Sequence, residues 1–225
     1  MVAAYFVGAV PAAYLAVKWV YGVDIRDYGS GKVGVSNVFR SFSRWLGVGV
    51  GAYDVCKGAL MVWIAQLLGF GIPEQTAVGL IAIIGHSWSV FMHFNAGRGV
   101  ATALGVACVL WHWGLPVFFV IAAITAITGG SAIPVLVGVA IMPLVSWLMG
   151  EPLSLTLGLL SLFVLLMIRR LTAPREDKSA SIRTGELLLA RFLFDRDTFK
   201  QKDLKIHGAA DAGGPKYSGR PQKGE

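Results

Sequence analysis

Long apolar runs dominate this chain, and the charges that interrupt them are sorted by position. Over residues 59–93 the sole Asp, Glu, Lys or Arg is Glu74, and over residues 99–168 it is Glu151. Apolar stretches of about 20 residues are the length that crosses a bilayer as a helix. Only 15% of the 225 residues are charged and the mean hydropathy is +0.64, whereas a soluble domain carries about 25% charge. The pattern predicts an all-α integral membrane protein.

Seven transmembrane helices are predicted, over residues 2–21, 52–70, 76–94, two within 100–128, then 132–149 and 153–168. The run 100–128 is long for one span. Trp111, His112, Trp113, Gly114 and Pro116 interrupt it with interfacial aromatics and helix breakers, so it is split there. Charge supports the odd number. With the N-terminus outside and the C-terminus cytoplasmic, the inner loops hold Arg26, Lys32, Arg40, Arg44, Arg98 and the whole tail, while the outer loops hold only Glu74 and Glu151. Lys18 and Lys57 fall at inner helix ends, where long side chains can reach water. Six spans would put the tail and the first loop on opposite sides, against the positive-inside tendency. The first span lacks a preceding basic residue and carries Lys18 at its far end, so it is not expected to be a secretory signal.

The net charge of +7 is therefore no sign of nucleic-acid binding. From Arg169 onward the chain carries 13 of its 20 Lys and Arg, which suits contact with anionic membrane lipids. Residues 1–170 are expected to form the membrane unit. Residues 171–199, with Leu187, Leu188, Leu189, Phe192, Leu193 and Phe194 among charges, are expected to lie at the interface. Residues 200–225 are expected to be disordered. Cys56 and Cys108 sit in apolar surroundings and are expected to be buried thiols; no disulfide framework or metal spacing accompanies them.

Three segments carry chemistry. The first inner loop contains Gly29, Ser30, Gly31, Lys32, Gly34, Ser36, Asn37 and Arg40, followed by Arg44. Glycines let successive N–H groups converge on an anion; Ser30, Ser36 and Asn37 add neutral hydrogen-bonding groups, and Lys32 and Arg40 add charge. A flexible linker with orientation charges would look similar. The second segment opens a span with Asp54, Lys57 and Gly58. Asp54 and Lys57, three apart, share a helix face and form either a functional pair or an interfacial ion pair. The third runs from His86 at the end of a span to Gly97, Arg98, Gly99 and Thr102. There a helix N-terminus would face a phosphate and Arg98 would clamp it. His86 fits a catalytic contact or a structural hydrogen bond. The first 150 residues hold only Asp24, Asp27, Asp54 and Glu74 as carboxylates, which argues against a metal-dependent phosphotransferase, and no Gly-x-Ser-x-Gly elbow is present. Neither a metal nor another cofactor is expected. Chemistry here would proceed by positioning and charge neutralisation.

In order and spacing, Gly-Ser-Gly-x-x-Gly-x-Ser-Asn-x-x-Arg, Asp-x-x-Lys-Gly, and Gly-His followed by Phe-x-x-Gly-Arg-Gly-Val-Ala-Thr resemble the bacterial acyl-phosphate:glycerol-3-phosphate acyltransferase family. The resemblance covers roughly residues 1–170. It implies a seven-span enzyme of the bacterial plasma membrane with its active face cytoplasmic. The implied reaction moves an acyl chain from acyl phosphate to the 1-hydroxyl of glycerol 3-phosphate, giving lysophosphatidate and phosphate. It further implies that Ser30, Asn37, Arg40, His86 and Arg98 are catalytic, that the remaining loop residues named above, with Asp54, Lys57, Gly58, Thr102 and Arg191, bind substrate or phosphate, and that an acyl-phosphate-producing enzyme is a partner. Lys32, Ser36, Ala96 and Arg98 stand where the family usually has Asn, Thr, Gly and Lys. The family's third motif, His-x-x-Asn-Ile-x-Arg-Leu, has its nearest match at residues 185–197. Arg191 falls on the Arg, and Gly185 and Leu188 replace the His and Asn. Two other readings remain open: a non-catalytic homologue that binds acyl phosphate or phospholipid, and an anionic-solute transporter. A transporter would want charges near the bilayer midplane.

Overall fold

In a computed structural model, residues 1–111, 113–127 and 132–173 are described, together with Gly185, Leu187, Leu188 and Arg191. Among them the chain is helical. The first apolar stretch is two helices, α1 (Val2–Ala9) and α2 (Ala12–Tyr21), then come a short α3 (Val35–Ser41), α4 (Arg44–Leu67), α5 (Ile72–Ser87), α6 (Val100–Leu110), α7 (Gly114–Ile127), α8 (Ala132–Leu148) and α9 (Leu153–Leu171). The break between α1 and α2 is at Pro11, which has no N–H to give and disfavours helical geometry at the residue before it. Val10 accordingly sits at φ −57°, ψ 116°.

Several boundaries differ from the sequence expectation. The second span begins at Arg44, because Ser43 accepts a hydrogen bond from Leu46 N and starts the helix upstream of its glycines. The third ends at Ser87; beyond a short 3₁₀ turn, His93 and Phe94 adopt positive φ and cannot continue a helix. The run at 100–128 does divide around Trp111–Trp113. Among the described residues, four stretches are long and apolar enough to cross a bilayer: Val2–Tyr21, Arg44–Leu67, Ile72–Met92 and Leu153–Leu171. At 1.5 Å per residue, α6 and α7 measure only about 16 and 21 Å, against a hydrocarbon core of about 30 Å.

Close helix crossings organise the bundle. A Cβ on Gly8 would meet the Ala82 carbonyl, and one on Gly85 would meet the Tyr5 carbonyl, so α1 and α5 pack backbone to backbone. Gly58 lies against the Thr102 carbonyl and Gly105 against the Val55 carbonyl, which brings α4 onto α6 in the same way. Small residues at crossings are how membrane helices gain packing contacts where no aqueous hydrophobic effect acts between them. A core of Val62, Ile83, Val106, Trp111, Leu159 and Leu162 fills the middle. The outside is apolar as well: Trp45 is 86% exposed, Ile127 85% and Leu148 70%, a surface suited to lipid rather than water. Cys56 is on that outer surface and is exposed, not buried as its apolar neighbours suggest; Cys108 is half-buried.

Candidate active site

The first glycine loop is built around one side chain. Asn37, on the first turn of α3, is buried. Its Nδ2 donates to the carbonyls of Ile25 (3.3 Å), Tyr28 (3.0 Å) and Lys32 (3.0 Å), while its Oδ1 accepts from Ser30 N (3.1 Å) and Ser41 Oγ (3.0 Å). Gly29 (φ 59°) and Gly31 (φ 67°) take left-handed geometry, and a Cβ on Gly29 would strike both Asn37 Oδ1 and Ser41 Oγ. Gly34 caps α3 with its carbonyl. Ser30 and Lys32 are half-buried, whereas Ser36 and Arg40 are exposed on α3. At the loop's entry Asp24 accepts from Arg26 through both carboxylate oxygens, at 2.6–3.1 Å. Those bonds hold the Asp24 carboxyl below the ordinary carboxylate range.

Asp54 and Lys57 of α4 form a buried ion pair, with Nζ 2.8 Å from Oδ1. The same carboxylate oxygen lies 3.5 Å from His86 Nδ1 at the end of α5. Lys57 also donates to the Val10 carbonyl (3.1 Å), and Ser89 Oγ donates to the Ala9 carbonyl (2.6 Å). These are carbonyls that the Pro11 break frees from helical bonding. Helix α1, α4 and α5 thus meet at one charged centre.

The second glycine loop closes over that centre. Ala96 N donates to the Ser87 carbonyl (3.2 Å), folding the loop back onto α5. Gly97 is buried against His86, and a Cβ there would collide with the imidazole at Nε2. Gly99, at φ 78°, turns the chain into α6. A small cleft lined by Pro11, Val33, Asp54, His86, Ala96 and Gly97 joins both loops to the α4–α5 centre. Arg98 faces another way, into an apolar cleft with Val135, Val139, Leu166 and Arg170. Ser87 Oγ and Thr102 Oγ1, both fully buried, have no hydrogen-bond partner among the described residues.

The family model for glycerol-3-phosphate acyltransferase matches residues 1–174. The chain belongs to the glycerol-3-phosphate acyltransferase family. It is 42% identical over 205 residues to glycerol-3-phosphate acyltransferase 4 of Dehalococcoides mccartyi strain CBDB1, covering 87% of each chain. It is 38% identical over 167 residues to the Gloeobacter violaceus glycerol-3-phosphate acyltransferase, covering 70% of this chain and 80% of that one. Crystal structures of PlsY (YgiH), an integral membrane glycerol 3-phosphate acyltransferase, superpose well. The lysophosphatidic acid form gives a TM-score of 0.65 at 30% identity, covering 74% of this chain and 84% of that one. The glycerol 3-phosphate form gives 0.64 at 29%, covering 75% and 85%.

Within this member of the family, the residues singled out from sequence separate into groups. Asp54, His86 and Gly97 line one cleft. Asn37, Gly29, Gly31 and Gly34 shape the first loop. Gly58 and Thr102 lie in the α4–α6 crossing. Arg191 Nη1 donates to the Leu171 carbonyl (2.9 Å) at the end of α9. Apart from Gly185, Leu187 and Leu188, the rest of the third-motif match lies outside the described residues, as do residues 174–184 of the expected interfacial segment and the tail from residue 200. Sequence reasoning counts Arg169 and Arg170 only with the basic tail, as charges that set orientation and meet anionic lipid. The structure buries both, and the sequence signal is no more than two adjacent cations closing an apolar helix.

Proposed function

We propose that this chain transfers an acyl group from acyl phosphate to the 1-hydroxyl of glycerol 3-phosphate, releasing phosphate and forming lysophosphatidate. The observation that carries this is the convergence of two glycine loops on the Asp54–His86 pair at one end of the bundle, in a member of the glycerol-3-phosphate acyltransferase family. Acyl phosphate is a mixed anhydride with a good leaving group, so the hydroxyl oxygen can attack the carbonyl carbon directly. The carbon–oxygen bond to phosphate then breaks. The loops bind and orient the two phosphates, which aligns the reacting atoms. Asp54 orients the His86 ring through Nδ1 and leaves Nε2 beside Gly97. The hydroxyl proton leaves to His86 or to a substrate phosphate.

The topology belongs to the same proposal. Seven spans, with the N-terminus outside and both loops, the end of α9 and the tail on the cytoplasmic side of a bacterial plasma membrane, agree with the charge distribution. The catalytic unit lies within residues 1–170. Purified protein supplied with acyl phosphate and glycerol 3-phosphate is expected to form lysophosphatidate and phosphate, with no stoichiometric acyl adduct by intact mass. Absence of product would leave a non-catalytic binding homologue; an adduct whose removal abolishes turnover would replace direct transfer.

A further inference from the structure

Arg169, in the last turn of α9, is only 3% exposed. A buried cation is costly unless its donors are satisfied. Here Nε donates to the Gly97 carbonyl (3.1 Å), and Nη2 donates to Asn95 Oδ1 (3.0 Å) and to the Ala96 carbonyl (3.0 Å). The guanidinium carbon also lies 5.2 Å from the centre of the Trp88 ring, within the range of a cation–π contact. One planar group therefore ties three consecutive residues of the second glycine loop, and Trp88 just after α5, to the end of α9.

The direction of those bonds has a consequence. In a trans peptide the C=O and the following N–H point opposite ways. With the Ala96 and Gly97 carbonyls turned toward Arg169, the N–H groups of Gly97 and Arg98 are turned away from α9. Gly97 lines the cleft that holds His86 and Asp54, and its backbone abuts the imidazole. Two consecutive N–H groups fixed by their neighbouring carbonyls are the kind of preorganised donor set that binds an anion.

We propose that Arg169 is a positioning residue for acyl transfer: by holding the carbonyls of residues 96 and 97 it sets the peptide planes that receive one substrate phosphate and fixes the loop against His86. The proposal rests on the acyl-transfer reading and needs only one of the two phosphate-bearing substrates to engage this loop. Lysine is a poor substitute, because a point charge cannot hold three acceptors in the plane of a guanidinium fork.

The test uses the full chain in detergent or nanodiscs with Arg169→Gln and Arg169→Lys, read by steady-state kinetics and by amide hydrogen exchange of the ligand-free protein. Arg169→Gln is expected to raise the KM for one substrate at least tenfold while leaving the other within twofold. Exchange at residues 95–98 is expected to quicken at least tenfold, with Arg169→Lys intermediate in both. Equal movement of both KM values, or of neither, overturns the proposal, and so does unchanged exchange. If Arg169→Gln does not fold, the lysine variant is judged by the same criteria. If wild-type protein makes no lysophosphatidate, the acyl-transfer reading fails by itself, and the exchange measurement still decides whether Arg169 fixes the loop.

Discussion

Replacing Asn37 by alanine should loosen the first glycine loop by a calculable amount. The side chain makes five polar contacts. Its amide nitrogen has two hydrogens for three carbonyls, so the set amounts to about four hydrogen bonds. At about 0.5–1.5 kcal/mol net each, the loss spans about 2–6 kcal/mol. Ser30, Tyr28 and Lys32 are half-buried, so water replaces part of what is removed, and about 3 kcal/mol is the expected cost. That is a factor of about 150 in the local opening equilibrium. The bundle itself keeps its crossings, so the opening is confined to the loop. Hydrogen exchange at Ser30 N should therefore quicken by about two orders of magnitude in Asn37→Ala, with amides in the middle of α4 unchanged and acyl transfer reduced at least tenfold. Asn37→Asp should do at least as much harm at neutral pH, because it turns an acceptor toward three carbonyls. Exchange at Ser30 within threefold of wild type in Asn37→Ala would refute this account of the loop.

Gly97→Ala should displace the His86 ring, since the new Cβ would collide with Nε2. Overpacking of this kind costs about 1–3 kcal/mol, and a tenfold or greater fall in kcat, with the His86 NMR signal shifted, is the expected result. Lys57→Met removes the donor to the Val10 carbonyl and leaves Asp54 buried beside His86 alone. A loss of about 3–5 kcal/mol is typical when one partner of a buried pair is removed, readable as a lowered unfolding midpoint in detergent. With Cys56 and Cys108 replaced by serine, single cysteines at positions 74 and 210 should label from opposite sides of the membrane; labelling from the same side would exclude seven spans.

The apolar runs, the helix break near Trp111–Trp113 and the identity of both glycine loops are legible in the sequence, because hydropathy and glycine placement act over a few residues. The α1–α2 break is not legible, although Pro11 is visible, since a proline in a span can kink a helix without ending it. The pairing of Asp54 with His86 spans 32 positions in the chain and depends on how α4 and α5 pack against α1, which no local pattern encodes. The motif resemblance makes Asn37 a catalytic group; in the structure its amide bonds to four backbone groups of the loop and to Ser41 Oγ, a loop-holding role that no local pattern encodes. Arg169 shows the same limit: charge beside a span indicates orientation, and only packing reveals that its donors face inward.

The proline at position 11 ties three distant positions into one unit of change. Restoring a continuous first helix with Pro11→Ala would let the amides of residues 13 and 14 compete for the carbonyls of Ala9 and Val10. Lys57 and Ser89 use those same carbonyls. An isolated helix would gain about 3 kcal/mol from losing its proline. Here the gain would take a buried acceptor from each of two donors, leaving the Lys57 ammonium with Asp54 alone and the Ser89 hydroxyl hydrogen without its carbonyl. A substitution that looks stabilising on a propensity scale would therefore be tolerated only with compensating changes at residues 57 and 89. Among relatives that have drifted apart, the three positions should be found to have changed together or not at all.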